Sequence, residues 1–491
     1  MTDQLETAHG VRHAVVIGGS LAGLLAARVL AEHAERVTVI ERDRFPEGPQ
    51  PRAGVPQGRH IHVLLESGQR ALDTLLPGVV DELRAQGAPR VGMPDDLVQW
   101  QGGRWYRRTP ATAYLLTGSR PHLEHVVRRR VLADPRIRAV EGTEAVGLIG
   151  DAARVRGVLL RERGAGAGAE TSTGAGAGAG KDGNTGAREG AGRDARSLAA
   201  DLVVDASGRG SRAAAWLSAL GAEPPHEETL DTGLAYATRL YRAGSAGDGT
   251  DGLGQYIVPH PQQTRGAVVL PLEDGRHLVT LSGLRGDEPP TDGEEFVAYA
   301  ARLPHPLVSE WLAKAEPDGP VHGFRRTANV RRRYDRPGRR PAGFLATGDA
   351  LCTFNPIYGQ GMSVAALSAV ALRDALADPR RTPTTRRVQR ALFDASRQAW
   401  DVSAGADRNM PGAQGDAARA RAADRAVAWY LRRVQARAVG DPEVGAAFRS
   451  VLSLVEPPTA LFAPRIARAV LLGPVREAPT EPQMWRESTG G

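Results

Sequence analysis

Residues 13–41 read HAVVIGGSLAGLLAARVLAEHAERVTVIE, and few folds accept such a stretch. A short apolar run, Ala14 to Ile17, has the length and composition of a buried strand. A glycine turn follows, Gly18-Gly19-Ser20-Leu21-Ala22-Gly23, and then a helix-period segment, Leu24 to Glu32. A second apolar run, Val37 to Ile40, ends on Glu41. Strand, glycine turn, helix, strand and acid in that order predict a βαβ unit that binds a dinucleotide. Gly18 permits the tight turn out of the strand, and Gly23 lets the helix pack close to the sheet. The helix N-terminus offers free N–H groups and a positive dipole end to a pyrophosphate. Glu41 is expected to take both hydroxyls of an adenosine ribose. Ser20 stands where the middle glycine of GxGxxG belongs, so its side chain must leave room for the pyrophosphate. The strand before and the acid after favour this reading over a plain βαβ crossover.

The 491 residues suffice for a large core and two or three lobes. The single cysteine, Cys352, allows no internal disulfide, which suits a reducing cytoplasm. Only a polar dozen residues precede the first strand, with no signal-peptide core, and no run of 18 apolar residues occurs. A cytoplasmic protein without a membrane span is therefore expected. The net charge is +7, but the arginines are scattered, with small knots at Arg128–Arg130, Arg331–Arg333 and Arg339–Arg340. Aromatics are 5% of the chain and do not interleave with those knots. Solvated surface charge is the expectation rather than nucleic acid, and an acidic protein partner stays open.

After Glu41 comes a polar, proline-rich loop, Arg42 to Gln57, of the kind that carries function. His60 and His62 follow it. A metal pair would need more ligands nearby, so a positional role beside a ligand, or packing, is expected, and no metal. Leu97 to Tyr106 reads as a strand pair turning at Gly102-Gly103, and Ser119-Arg120-Pro121 opens a helix. Val140 to Leu148 and Val155 to Arg161 read as strands. The tract Gly164 to Gly192 is Gly- and Ala-rich and cannot offset its ordering entropy, so a mobile hairpin insertion is expected there. Deleting it should leave melting temperature and cofactor content nearly unchanged. Ala199 to Gly208 is a buried strand ending in Asp205 and a glycine turn. Leu234 to Tyr241, Gln255 to Val258, Gly266 to Leu270 and Leu278 to Leu284 suggest an antiparallel sheet, with helices at Asp292 to Leu303 and Pro306 to Ala315 under it. Gly361 to Ala377 is a small-residue helix, and the chain beyond Thr384 reads as helical with proline breaks at Pro411, Pro442, Pro457-Pro458 and Pro464.

A second constellation follows the strand Gly343 to Gly348. Asp349 sits at its tip, then Phe354-Asn355-Pro356-Ile357-Tyr358-Gly359-Gln360-Gly361-Met362 leads into the helix. Two glycines in a proline-stiffened loop let backbone N–H groups approach a flat ligand, and the helix start suits negative charge on it.

The three segments, GGSLAG with Glu41, Asp205-Ala206-Ser207-Gly208, and Gly348-Asp349 through Gly361, resemble the three FAD motifs of the p-hydroxybenzoate-hydroxylase-like flavoprotein monooxygenases, in the family's order. The resemblance spans about residues 12 to 375. It implies that Gly18, Gly19, Gly23 and Glu41 hold the ADP half of FAD, and that Ser20, Ala22, Arg42 and Arg52 also bind the cofactor. Arg120 would reach the phosphates, and Asp349 the ribityl and pyrophosphate. Pro356, Gly361 and Met362 would line the flavin ring, Gly359 of the same loop would bind the cofactor, and no side-chain catalyst is assigned. The implied fold is α/β: a Rossmann-like FAD-binding domain, a mixed antiparallel-sheet substrate domain and a helical C-terminal region. The implied partition is FAD-binding at 1–90, 119–232 and 341–378, substrate-domain strands at 91–118, the substrate-binding sheet at 233–340, and the helical region at 379–491.

More narrowly, Gly54 to His60, Gly233 to Arg239 and Phe354 to Met362 are similar to the flavin epoxidases of actinobacterial polyether pathways, relatives of squalene epoxidase. That similarity implies transfer of oxygen from a C4a-hydroperoxyflavin, with O2 as co-substrate, to alkenes of a polyketide polyene, free or carrier-bound. Reduction would come from NAD(P)H or from a separate flavin reductase. Tyr236, Tyr256, His260 and Phe324 are candidate pocket residues, although packing accounts for each one singly. An aromatic hydroxylase and an alkene reductase remain alternatives. A halogenase is disfavoured because Trp-x-Trp-x-Ile-Pro is absent and the only lysines are Lys181 and Lys314. The helical tail from Ala426 to Leu472 has amphipathic stretches that suit capping the substrate channel or lying on a bilayer.

Overall fold

The computed structural model describes residues 11–163, 195–243, 253–418 and 424–484. Its first strand, Val11–Ile17, lies inside a parallel sheet of five. The order is Phe344–Ala346, Leu202–Asp205, Val11–Ile17, Ala34–Ile40 and Ile137–Val140. Register pairs such as Ile17 with Asp205, Asp205 with Ala346, and Ile17 with Ile40 bring the strand tips level. The central strands are apolar throughout because both faces are covered; Ala14, Val15, Val16, Val37, Val203 and Leu345 are fully buried. All three glycine turns therefore leave the carboxyl edge of adjacent strands, where open α/β sheets bind ligands.

The helix after the first strand starts at Leu21 rather than Leu24. Leu21 is a core residue, so the turn shrinks to Gly18-Gly19-Ser20 and Gly23 falls inside the helix. There a Cβ would stand 1.8 Å from the Gly18 carbonyl oxygen, which is why the position is glycine.

The second sheet has eight strands. Ala235–Arg242 pairs antiparallel with Arg276–Gly283, which pairs with Gly266–Pro271, as the sequence suggests. Gly254–Ile257 then pairs parallel with Leu97–Gln101, so the sheet is mixed. Helices Gly293–Ala300 and Leu307–Leu312 close one core with it through Phe296, Tyr299 and Val308.

Beyond Thr384 the helices are Thr385–Ala395, Arg397–Asp407, Asp424–Ala438, Pro442–Leu452 and Pro464–Leu471. Pro442 and Pro464 open helices instead of breaking them, since the first turn lacks N–H partners anyway. The last three pack a separate small core around Tyr106. They bond to the 106–112 segment: Arg107 N to Val439 O at 3.0 Å, and Arg449 Nε to Thr112 Oγ1 at 2.9 Å. No helix of the described residues is long and apolar enough to cross a membrane. The tract Gly164 to Gly192, and with it the deletion expectation, lies outside the described residues; the strands flanking it, Val155–Glu162 and Arg196–Ala199, pair antiparallel.

Candidate functional site

The first glycine turn touches the second, and the third touches the helix that the first turn opens. A Cβ on Gly18, at φ +105°, would come within 2.4 Å of Ala206 O. One on Gly348, at φ +57°, would meet the Cβ of Ala22 at 2.6 Å. Asp205 is fully buried and stays with its own turn, accepting from Ser207 N at 2.9 Å and from the Ser207 and Ser211 hydroxyls.

Glu41 is buried and largely committed to protein. Its Oε2 accepts from Gly19 N at 2.8 Å and lies 3.2 Å from Arg52 Nη1, while Oε1 accepts from Asp43 N at 2.9 Å. A carboxylate has about four lone-pair sites, so capacity for one ribose hydroxyl remains. Ser20 makes no cap hydrogen bond to its helix. Its hydroxyl instead donates to Glu124 Oε2 at 2.9 Å and accepts from Arg120 Nη2 at 2.8 Å. The serine thus turns away from the helix start and leaves the first-turn N–H groups open, as a substitute for the middle glycine must.

Glu124 is the hub that sequence reading missed. It is 4% exposed, accepts from Arg52 Nε at 2.8 Å and from Arg52 Nη2, and lies 3.5 Å from Arg120 Nε. Arg52 is itself buried. Arg42, by contrast, is exposed and bonds Gly54 O at 2.8 Å, outside this cluster. Burial pushes the Glu124 carboxyl up, but the charges on Arg120 and Arg52, with bonds from Ser20 and Arg52, hold it below its ordinary 4.5. The folded value is thus below the unfolded one. The stability this group contributes is full above that ordinary value and is lost as pH falls through the depressed one. Unfolding of wild type and Glu124→Gln followed across acid pH should give curves that converge as the pH falls through the depressed value of Glu124, below its ordinary 4.5.

Asp349 follows the strand tip, with its carbonyl bonded by Thr353 Oγ1 at 3.0 Å and Arg332 Nη1 at 3.2 Å. Burial raises its carboxyl value against the opposing charges of Arg209, Arg120 and Arg332. The third motif, the second and Arg120 therefore share one electrostatic site. Pro356 opens a single turn to Tyr358, and Gly359 takes φ +65° with Val63 against it. Gly361 begins the helix Gly361–Ala377 facing open space: a Cβ there would meet nothing within 4 Å. Met362 is buried in the wall of a small cavity with His62 and Ser119.

His60 is buried, bonds Thr238 Oγ1 at 2.9 Å, and packs edge-on against Tyr236 and Phe324 at 4.9 and 5.6 Å between centroids. Burial, with His322 and Arg59, brings its value down to about 4, and burial chiefly brings His62 to about 3; both rings are neutral at physiological pH. Among the described residues no cluster of three or more His, Cys, Asp or Glu could hold a metal. Tyr256 lines a second cavity with Leu234, Leu284, Ile357 and Tyr358, beside the Pro356 turn. Tyr236 and Phe324 stack on each other, and His260 packs at a tilt against Trp100, outside that cavity's lining.

The sequence matches the family described as FAD binding domain over residues 12–403. The chain belongs to this family. Its wider group is that of the flavin monooxygenases resembling p-hydroxybenzoate hydroxylase. Protein Rv3254 of Mycobacterium tuberculosis (strain ATCC 25618 / H37Rv) is 38% identical over 377 residues, 74% of this chain and 73% of that protein. The 6-methylpretetramide 4-monooxygenase of Streptomyces rimosus is 31% identical over 150 residues, 29% of this chain and 32% of that enzyme. The flavin-dependent brominase Bmp2 superposes with a TM-score of 0.61 at 14% identity, covering 90% of this chain and 93% of that one, a likeness of fold. The likeness to polyether epoxidases rests on the sequence strings alone.

The site of this FAD-family chain fits its cofactor. Arg209, also missed from sequence, bonds Ala328 O at 2.8 Å through Nη1, while Nε and Nη2 are buried without a partner among the described residues. It lies in the field of Asp349 and Tyr236. Two buried guanidinium donors lacking acceptors suit an acceptor-rich ligand such as a flavin dinucleotide. Arg209→Met should weaken FAD binding about tenfold, ~1.4 kcal/mol, in a fluorescence titration. Unchanged affinity would mean the guanidinium faces something else.

Proposed function

We propose that the protein is an FAD-dependent monooxygenase that transfers one atom of O2 to an alkene of an apolar polyketide-derived substrate, as an epoxidase. The observation that carries this is the cavity between the Pro356 turn and the mixed sheet. Leu234, Val258, Pro259, Leu284, Ile357 and Met410 give it apolar walls; its lining holds no cation, and its polar groups are Thr232, Tyr256, Asn355, Tyr358 and the carboxylate of Asp407. Reduced FAD supplies the oxygen chemistry. The chain's own work is to hold the cofactor across the strand tips, keep water from the cavity and seat the double bond against the cofactor loop. NAD(P)H, used directly or through a flavin reductase, is the proposed electron source.

Hydroxylation of an aromatic or polyketide substrate is the second reading. It is favoured by the hydroxyl of Tyr256 in the same lining, which suits a substrate hydroxyl, and by the monooxygenase name of the Streptomyces relative. Incubation with reduced FAD, O2 and simple polyenes, read by mass spectrometry, separates the readings. An added oxygen that mild acid converts to a diol marks an epoxide. An added oxygen that survives acid marks hydroxylation. Gain of two hydrogens without oxygen marks an alkene reductase and sinks both.

Asp349 is the residue proposed to meet the ribityl and pyrophosphate. Asp349→Ala is expected to lose FAD and turnover together, seen as loss of the visible flavin band on purification. A fully yellow, active variant would remove Asp349 from the site.

A further inference from the structure

The family match ends at residue 403. Asp407, the last residue of the helix Arg397–Asp407, lies just past it and is 2% exposed. Its carboxylate receives three donors: Tyr358 OH at 2.7 Å on Oδ1, and Asn329 Nδ2 at 2.6 Å and Asn355 Nδ2 at 3.0 Å on Oδ2. The amide oxygens of both asparagines carry the bonding onward. Asn329 Oδ1 accepts from Asn355 N at 2.8 Å and Ser403 Oγ at 2.6 Å, and Asn355 Oδ1 accepts from Ile357 N at 3.2 Å. One backbone N–H, of Asn355, and two side chains, of Asn355 and Tyr358, are thus fixed from outside the segment 355–358, and Asn355 in turn holds the Ile357 N–H within it.

A buried carboxylate costs several kcal/mol unless fully satisfied. Packing alone would be served as well by an apolar side chain, so the charge calls for another reason. Burial raises the value of this carboxyl, and the three donors from Tyr358, Asn355 and Asn329 work against that rise in favour of the ionised form. What they hold is the turn that precedes Gly359, Gly361 and Met362, the loop expected against the flavin ring.

We propose that Asp407 is a positioning residue: as the buried anion of a network with Tyr358, Asn355 and Asn329, it sets the shape of the cofactor loop from the C-terminal helical region. The proposal rests on FAD being the cofactor. Asp407 also borders the cavity beside the Pro356 turn, but both of its carboxylate oxygens are engaged by Tyr358, Asn355 and Asn329, and it acts through them on the loop.

The test uses the full chain, stripped of FAD and titrated back by fluorescence quenching, with visible circular dichroism of the bound flavin as the second readout. Asp407→Asn keeps the volume but turns an N–H toward donors. It is expected to bind FAD at least tenfold more weakly, with an altered flavin dichroism band. Tyr358→Phe removes one hydroxyl and is expected to lose about threefold with a dichroism change of the same sign. The double variant should be no weaker than Asp407→Asn, because neighbours in one network are not additive. Additive losses, or two single variants within twofold of wild type with unchanged dichroism, would overturn the proposal. Should Asp407→Asn not fold, Tyr358→Phe decides alone: an unchanged spectrum refutes, a changed one supports. A wild-type chain that takes up no FAD would refute the cofactor reading itself, an outcome distinct from all of these.

Discussion

Glu124→Ala is expected to give a protein that purifies without FAD and unfolds at clearly lower denaturant. The alanine would leave Arg52, 9% exposed, with only Glu41 at 3.2 Å and Asp43 at 3.6 Å as charge partners, and would release Ser20 and Arg120. Breaking a buried ion pair by removing one member costs about 3–5 kcal/mol, because the other charge stays behind. The released Ser20 is free to swing over the helix start, where the pyrophosphate is expected. Asp81→Ala is the control. Its contact with Arg84, 3.7 Å long and exposed on both sides, should be worth less than about 1 kcal/mol. Urea unfolding of the apoproteins with FAD titration checks both. Equal midpoints and equal affinity for wild type and Glu124→Ala would show that the cluster carries neither stability nor binding.

Gly18→Ala should have a comparable effect for a different reason. The new Cβ would sit 2.4 Å from Ala206 O and 2.9 Å from Ala206 C, both backbone atoms, at φ +105°. Relief requires parting strands whose register pairs Ile17 with Asp205. Overpacking plus left-handed strain sums to about 2–5 kcal/mol, and the first and second motifs would separate. Gly208→Ala isolates the strain, since at φ +83° nothing lies within 4 Å of its Cβ. It should cost only about 1–2 kcal/mol. Thermal unfolding of both variants gives the comparison, and equal losses would remove the steric argument.

The dinucleotide-binding half was readable because its signals are local. Glycines that need positive φ or close approach, and acids at strand tips, stand within a few residues of the turns they serve. Glu124 was not readable in this way. Its segment was quoted for Arg120, yet an acid in a helix interior looks like surface charge until the fold brings Arg52 and Ser20, 72 and 104 residues away, against it. Arg209, between two glycines, reads as an exposed turn. Asp407 meets Tyr358 across 49 residues with no periodic signal joining them. The helix start at Leu21 was hidden because a glycine inside a helix reads as part of the turn. The candidate pocket residues divide the same way: Tyr256 reaches the cavity, while Tyr236 and Phe324 pack around His60.

The parallel pairing of Leu97–Gln101 with Gly254–Ile257 bears on recombination. The mixed sheet behind the cavity is woven from two lengths of chain, and strands of the parallel sheet, Ile137–Val140 and Leu202–Asp205, lie between them in sequence. A chimera that exchanges only residues 233–340 with a relative would join a foreign strand to a native neighbour at this seam. Swaps meant to transplant selectivity should therefore carry the 91–118 stretch from the same parent, and shuffled libraries should recover active clones mainly where both pieces were co-inherited.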